Sequence, residues 1–289
     1  MTEQDVIRVY EETTHVKIFS FRQLDGEHDG KLYLINYQDL FRVPGKNTTD
    51  QPFADLHLEY QFYEAVNKAS DPSEYPVPPF VIIYSDGQKI EKFAEGHEPT
   101  FTPETRDEEF QKILEAMTAL RRLDCAGDFA PLPRFRHYQK ANKSRLPETF
   151  ENEIIKRFTE IRDSRPLALC HNRLDARHIL IQEERALFLD YSFVGPNTPI
   201  YDLADFLVEN DFDSTVARKL LNLFNRTTLC SPYSYEELET VMHFIQAFWY
   251  YYYSARHAET KEERFAKLAS EYKKRFLLAF NARLMEGAE

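Results

Sequence analysis

Over the first hundred residues the apolar positions come in short runs with polar breaks between them. His15 to Phe21 alternates, Lys31 to Asn36 and Asp39 to Val43 are brief β-prone stretches, and Pro79 to Tyr84 is another, ahead of a turn at Ser85-Asp86-Gly87. Alternation of period two bounded by turn residues predicts strands. Ala54 to Asn67 instead carries the 3.6-residue period of a helix. The pattern therefore predicts a small part over residues 1–95, mostly antiparallel sheet plus one helix.

After a strand-like stretch and loop at Lys89 to Gly96, the pattern turns mainly helical through residues 96–289. Thr105-Arg106-Asp107-Glu108 has the form of a capping box, and Phe110, Ile113, Leu114, Met117, Leu120 and Leu123 mark one helical face. Phe150, Ile154, Phe158 and Ile161 mark another, after Pro147. A later helix, from about Tyr235 to Ala258, contains the aromatic run Phe248-Trp249-Tyr250-Tyr251-Tyr252-Tyr253. An unbroken run surrounds its helix, so some rings are expected to face the core and others a cleft or solvent. Lys261 to Glu289 reads as a final amphipathic helix. Neither internal repeats nor a long Pro/Gly/Ser linker interrupts the chain, which favours two parts packed together.

One stretch of the helical part keeps the strand pattern. Leu167 to Cys170 is a short apolar run that delivers His171. Ile179 to Ile181 and Leu187 to Leu189 flank a polar hairpin tip at Gln182 to Arg185, and the last run ends on Asp190. A loop-mounted carboxylate at the end of a buried strand can hold a divalent ion against a triphosphate.

The stretch reads His171-Asn172-Arg173-Leu174-Asp175-Ala176-Arg177-His178, then Leu189-Asp190-Tyr191-Ser192, then Thr198-Pro199-Ile200-Tyr201-Asp202-Leu203-Ala204. It resembles the choline/ethanolamine kinase and aminoglycoside phosphotransferase superfamily, and most of all the bacterial choline kinases of the LicA type. Their pattern is His-x-Asp-Leu-x-Pro-x-Asn, Ile-Asp-Trp-Glu and Asp-Pro-x-x-Asp-Leu-Ala. The resemblance implies a two-lobed α+β, protein-kinase-like fold, with a small lobe over 1–95, a large lobe over 96–289 and a catalytic-type loop over 170–205. It also implies transfer of phosphate from ATP, with magnesium, to a small amino alcohol such as choline.

The resemblance distributes roles along the chain. His171 organises the catalytic loop, Asp202 braces it, and Asp190 holds the metal. Arg42, in the block Arg42-Val43-Pro44-Gly45-Lys46, is the strand cation that touches the nucleotide phosphates. Glu59 is its ion-pair partner, Glu64 being a poorer candidate. Tyr250 and Tyr253 fall at the spacing of the Trp-x-x-Trp pair that boxes a quaternary ammonium in LicA-type enzymes, and an aromatic face attracts a cation by about 0.5–2 kcal/mol.

Two positions depart from the family chemistry. Arg173 stands where the family has the Asp that accepts the substrate proton, and a guanidinium has no acceptor and stays charged at any working pH. A general base contributes about 10²–10⁴ in rate. His178 replaces the Asn that ligates magnesium, and imidazole suits softer metals. Asp175 has two readings: a displaced base or ligand, or an ion-pair partner of Arg173 or Arg177. Arg173 itself reads either as a contact to phosphate or an acidic group or as a structural ion pair. Where the family has a Gly-rich loop, Leu24 to Lys31 holds Gly26 and Gly30 but also Asp25, Glu27 and Asp29, whose charges oppose a polyanion. The expectation is a catalytically impaired member, a pseudokinase, with a retained small-molecule pocket. The alternatives are an active kinase of a choline-like alcohol with Asp175 as base, and a non-catalytic binding or scaffold module.

Composition narrows the partners. A net charge of −12 argues against nucleic acid and anionic membrane surfaces, which call for a basic footprint. It suits a small cation such as choline, and equally a merely soluble acidic surface. Cys125, Cys170 and Cys230 include no CxxC pair and read as reduced thiols of a cytoplasmic protein. The absence of a signal peptide or an apolar run of spanning length predicts no membrane insertion.

Overall fold

The computed structural model describes residues 1–24, 30–43, 56–78, 81–83, 88–227 and 231–286. The acidic loop Asp25 to Asp29, Pro44 to Lys46, Ala54, Pro79, the turn Ser85 to Gly87 and Cys230 lie outside the described residues. In chain order the elements are α1 (Glu3–Thr14), β1 (Phe21–Leu24), β2 (Lys31–Ile35), β3 (Asp39–Val43), α2 (Leu56–Lys68), β4 (Val81–Ile83), β5 (Lys89–Lys92), α3 (Arg106–Leu120), α4 (Pro131–Ala141), α5 (Glu148–Asp163), β6 (Ala168–Cys170), β7 (Ile179–Ile181), β8 (Ala186–Phe188), α6 (Ile200–Glu209), α7 (Ser214–Thr227), α8 (Tyr235–Thr260) and α9 (Glu263–Glu286). They group into two units, residues 1–127 with 177–195, and residues 128–176 with 196–289.

In the first unit an antiparallel sheet of order β1-β2-β3-β5-β4 carries a core of Tyr33, Ile35, Phe41, Val43 and Ile90, closed by Val6 and Tyr10 of α1. The phenol of Tyr10 donates to Asp39 at 2.5 Å, tying that helix to β3. The sequence reading anticipates one helix in residues 1–95 and the structure has two, α1 and α2. A polar sequence with only Val6 and Tyr10 buried hides the first helix. Its start is nonetheless marked by a capping box, Thr2 and Asp5 each satisfying the other's backbone N–H.

The strand expected from His15 begins only at Phe21. His15 caps α1 in the left-handed region at φ 57°, and the N–H groups of Ile18, Phe19 and Ser20 donate to the side chains of Glu11 and Asn36. Donors committed to side chains cannot join a ladder. The capping box expected at Thr105 is also absent. Glu109 turns back instead and accepts from the N–H groups of Thr100 at 3.1 Å and Phe101 at 2.7 Å.

The boundary expected near residue 95 falls inside the first unit, because the segment after β5 pairs onward. His97 N–H donates to Ile181 at 3.1 Å and Ile181 N–H to His97 at 2.8 Å. Gly96, at φ +157°, makes this approach possible: a Cβ there would lie 2.7 Å from the Ile181 carbonyl oxygen. The hairpin β7–β8 is thereby joined to the segment leading into α3.

The second unit is helical and centres on α8, which packs on α4, α5, α6 and α9. Phe244 stacks on Phe158 of α5 with centroids 3.8 Å apart. All six rings from Phe248 to Tyr253 are buried, none more than 6% exposed, so of the cleft or solvent expected for some of them, none faces solvent. Helices on several sides of α8 account for this. Tyr252 meets Tyr138 of α4, and Tyr253 meets Phe265 and Tyr272 of α9. Among the described residues no helix is long and apolar enough to cross a membrane.

Candidate active site

The candidate residues divide between the two units. In the first, register brings two cations together: Arg42 of β3 lies opposite Lys89 of β5, where like charges repel unless a carboxylate intervenes. Glu59 of α2 supplies it. Arg42 Nη2 donates to both Glu59 oxygens, at 2.8 and 2.7 Å, and Lys89 Nζ lies 4.0 Å from the same carboxylate. Lys89 also pairs with Glu91 at 2.8 Å and donates to the Tyr63 phenol at 3.1 Å. Burial pushes that phenol well above its ordinary pKa, so it stays a neutral acceptor. Burial disfavours the Arg42 charge, but Glu59 and Asp190 outweigh it and raise the pKa of the guanidinium further. Glu64 serves elsewhere, accepting from Lys68 and Tyr60 on the exposed side of α2.

Asp190 and His178 meet because they flank one hairpin. Ile179 pairs with Phe188, Leu189 N–H donates to the His178 carbonyl at 2.8 Å, and Asp190 follows in the left-handed region at φ 58°. His178 Nε2 comes within 3.8 Å of one Asp190 oxygen and Arg42 Nη1 within 3.5 Å of the other. Tyr191 anchors the corner by donating to the Pro76 carbonyl at 2.8 Å and stacking on Phe62 at 4.4 Å.

Magnesium requires oxygen ligands in near-octahedral array. Among the described residues no group of three or more His, Cys, Asp or Glu is arranged to hold a metal ion. Of the pair at this corner, one is an imidazole and the other a carboxylate already shared with a guanidinium. Of the two, Asp190 offers magnesium an oxygen ligand and His178 only a nitrogen, which suits softer metals. A separate cavity of about 500 Å³, beside Gly96, Lys112 and Glu183, is lined by none of the candidate residues.

In the second unit β6 delivers His171 and Asn172, both fully buried, into a loop held by α6. Asp202 accepts from the N–H groups of His171 at 2.9 Å and Asn172 at 2.8 Å. Asp205 accepts from Leu174 N–H at 2.6 Å, and Asn210 from Ala176 N–H at 2.9 Å. Three side chains of α6 and its end thus accept from four N–H groups of the loop, those of His171, Asn172, Leu174 and Ala176. Sequence reasoning singled out Asp202 and missed the other two. Asp205, one helical turn on in an otherwise apolar segment, was the available signal.

Arg173 projects from this loop onto Trp249, its guanidinium carbon 5.6 Å from the ring centroid. Asp175, two residues on, is 5% exposed. No direct ring contact joins Tyr250 and Tyr253 among the described residues. Tyr253 stacks on Trp249 at 5.7 Å, whereas Tyr250 donates to the Ser144 carbonyl at 3.4 Å and has the Lys273 ammonium 5.6 Å from its ring. Trp249 is the aromatic residue that the Tyr250/Tyr253 spacing passed over, although it sits at i, i+4 from Tyr253.

Residues 88–282 match the choline/ethanolamine kinase family. Protein LicA of Haemophilus influenzae is 32% identical over 75 residues, a stretch covering 26% of this chain and 28% of that protein. The chain therefore matches little more than a quarter of the length of that curated relative. Among solved structures, the choline kinase LicA from Streptococcus pneumoniae is similar with a TM-score of 0.74 at 15% identity, covering 97% of this chain and 100% of that one. The choline kinase from Cryptosporidium parvum gives 0.72 at 14% identity, covering 99% and 97%. An ADP-bound aminoglycoside phosphotransferase, APH(2'')-Ib, gives 0.61 at 18% identity, covering 94% and 97%. At such identities the likeness is one of fold, and the fold is the α+β, protein-kinase-like one expected of the sequence.

Proposed function

Because the chain belongs to the choline/ethanolamine kinase family, we propose that it is a phosphotransferase homologue impaired in catalysis, a pseudokinase that keeps the small-molecule pocket of its relatives. One observation carries the reading. Arg173 stands at the position of the family base, and its guanidinium is engaged on Trp249; a permanent cation accepts no proton.

The rest of the loop supports a preserved frame around that change. Asp202 holds His171 and Asn172, and Arg42 with Glu59 keeps the strand-to-helix ion pair that the family uses beside nucleotide phosphates. Asp190 and His178 take the family's metal positions, with a donor pair that suits magnesium poorly. ATP with magnesium is accordingly the cofactor the ancestry implies and the one whose binding is weakened. Tyr250 and Tyr253, with Trp249, are proposed to line the pocket, and a small choline-like cation is the class of ligand it was built for. A cytoplasmic location suits such a protein.

A second reading has one observation in its favour. Asp175 is a buried carboxylate on the same loop, and as a displaced base it would sustain slow transfer to a choline-like alcohol. ADP release with magnesium, ATP and choline or ethanolamine separates the two. Impairment predicts release at the level without protein, whereas the second reading predicts turnover that Asp175→Asn abolishes. A thermal shift with choline but not ATP would separate a retained pocket from an unrelated scaffold role.

A further inference from the structure

Lys89 is a buried lysine to which the sequence reading gives no role beyond a strand. It lies opposite Arg42 across β3 and β5, and its side chain is 4% exposed. Glu59 and Tyr63, one turn apart on α2, both face it. Its ammonium stands 4.0 Å from a Glu59 oxygen, donates to the Tyr63 phenol at 3.1 Å and lies 5.2 Å from the centre of that ring. Glu91, two residues along the same strand and so on the same face, pairs with it at 2.8 Å.

The consequence is visible at Arg42. A buried carboxylate frequently takes a guanidinium by two parallel N–H···O bonds from two different nitrogens. Here a single nitrogen, Nη2, serves both Glu59 oxygens, at 2.8 and 2.7 Å, and Nη1 stands 3.5 Å from Asp190 Oδ1 instead. Glu59 tolerates the uneven grip because a second cation shares its charge. With Lys89 removed, the cation left on Glu59 among the described residues is Arg42, and the fork then closes on the carboxylate with both arms.

We propose that Lys89 is a positioning residue: by sharing Glu59 it keeps one arm of Arg42, Nη1, turned out to the Asp190 corner, where that arm is offered to a phosphate group. Lys89 does not itself touch the anion. Held by Glu91 and Tyr63, it acts through Glu59. The proposal rests on the reading of Arg42 as the cation that meets phosphate, and it is independent of the impairment at Arg173. Robust ADP release would overturn the impairment and leave Lys89 in this role.

The probe is inorganic tripolyphosphate, titrated without metal by calorimetry at fixed ionic strength, and the binding counted is that which Arg42→Met abolishes. Wild type is compared with the double variant Lys89→Met, Glu91→Gln. The pair of changes removes one positive and one negative charge, so net charge is preserved, and neutral groups in place of a buried ion pair are often tolerated. The expected result is saturable binding by the wild type and binding weaker by at least about tenfold in the double variant, as for one charged donor withdrawn. Lys89→Gln with Glu91→Gln, which keeps a hydrogen-bonding group beside Tyr63, is read in the same way should the first pair fail to fold. A folded double variant that binds as tightly as the wild type overturns the proposal, whatever its stability, because Lys89 then acts only in packing or net charge. So does a wild-type chain with no Arg42-dependent binding, a comparison that leaves Lys89 untouched.

Discussion

Arg42 binds two carboxylates at once: its Nη2 reaches both oxygens of Glu59 at 2.8 and 2.7 Å, and its Nη1 stands 3.5 Å from Asp190 Oδ1. One strand guanidinium thereby joins a helix to the end of a hairpin. Any anion reaching Arg42 would compete with Asp190, and any cation reaching Asp190 with Arg42.

Glu59 is 2% exposed and neutralises Arg42 and Lys89 together. Removing one member of a buried ion pair leaves an uncompensated charge and costs about 3–5 kcal/mol. Glu59→Gln is expected to lower stability by that amount in urea unfolding. Replacing Arg42 and Glu59 together by Met is expected to recover most of the loss, and a double variant as unstable as the single one would argue that the pair is not the source.

Asp202 satisfies two buried loop donors. An unsatisfied buried donor costs about 1–3 kcal/mol, so Asp202→Ala is expected to destabilise the protein by roughly 2–6 kcal/mol. Hydrogen exchange at the His171 and Asn172 amides should accelerate with it. Unchanged exchange at both amides would remove Asp202 as the brace of this loop.

Burial, with a smaller contribution from Arg283, lowers the pKa of His243 from 6.5 to about 4. The unfolded chain takes up this proton near pH 6.5 and the folded chain only near pH 4. The stability linked to His243 is therefore fully present above pH 6.5 and is lost as pH falls toward 4, a change of up to about 3 kcal/mol. His243→Gln is expected to flatten the stability profile across this window in denaturant titrations at successive pH values. A variant that falls as steeply as the wild type would assign the slope to carboxylates instead.

Restoring the family residues tests the impairment we propose. Arg173→Asp with His178→Asn returns an acceptor and an oxygen ligand to the two altered positions, and a working base contributes about 10²–10⁴ in rate. ADP release is expected to rise in the double variant. No rise would place a further defect in the acidic segment between Leu24 and Lys31.

The parts legible in the sequence were those with strong local patterns. β3 at Asp39 to Val43, the hairpin around Gln182 to Arg185 and the long helix from Tyr235 followed from alternation, turn residues and a 3.6-residue period. The pairing of Arg42 with Glu59 came from the family frame, since two charges 17 residues apart carry no local signal. What stayed hidden depended on tertiary partners. α1 buries only two side chains, and the extended segment before β1 gives its donors to Asn36 and Glu11. Trp249 could not be distinguished from its five aromatic neighbours until α9 set Tyr272 against Tyr253. Asp205 and Asn210 read as ordinary polar residues until the loop backbone came to them.

The most direct test of the account is the rate of ADP release by the wild-type chain in the presence of magnesium, ATP and choline. With a guanidinium at the position we propose for the base and an imidazole at the one we propose for a magnesium ligand, release is predicted to equal that of a reaction without protein. Robust, choline-dependent release, abolished by Asp190→Ala, would contradict it.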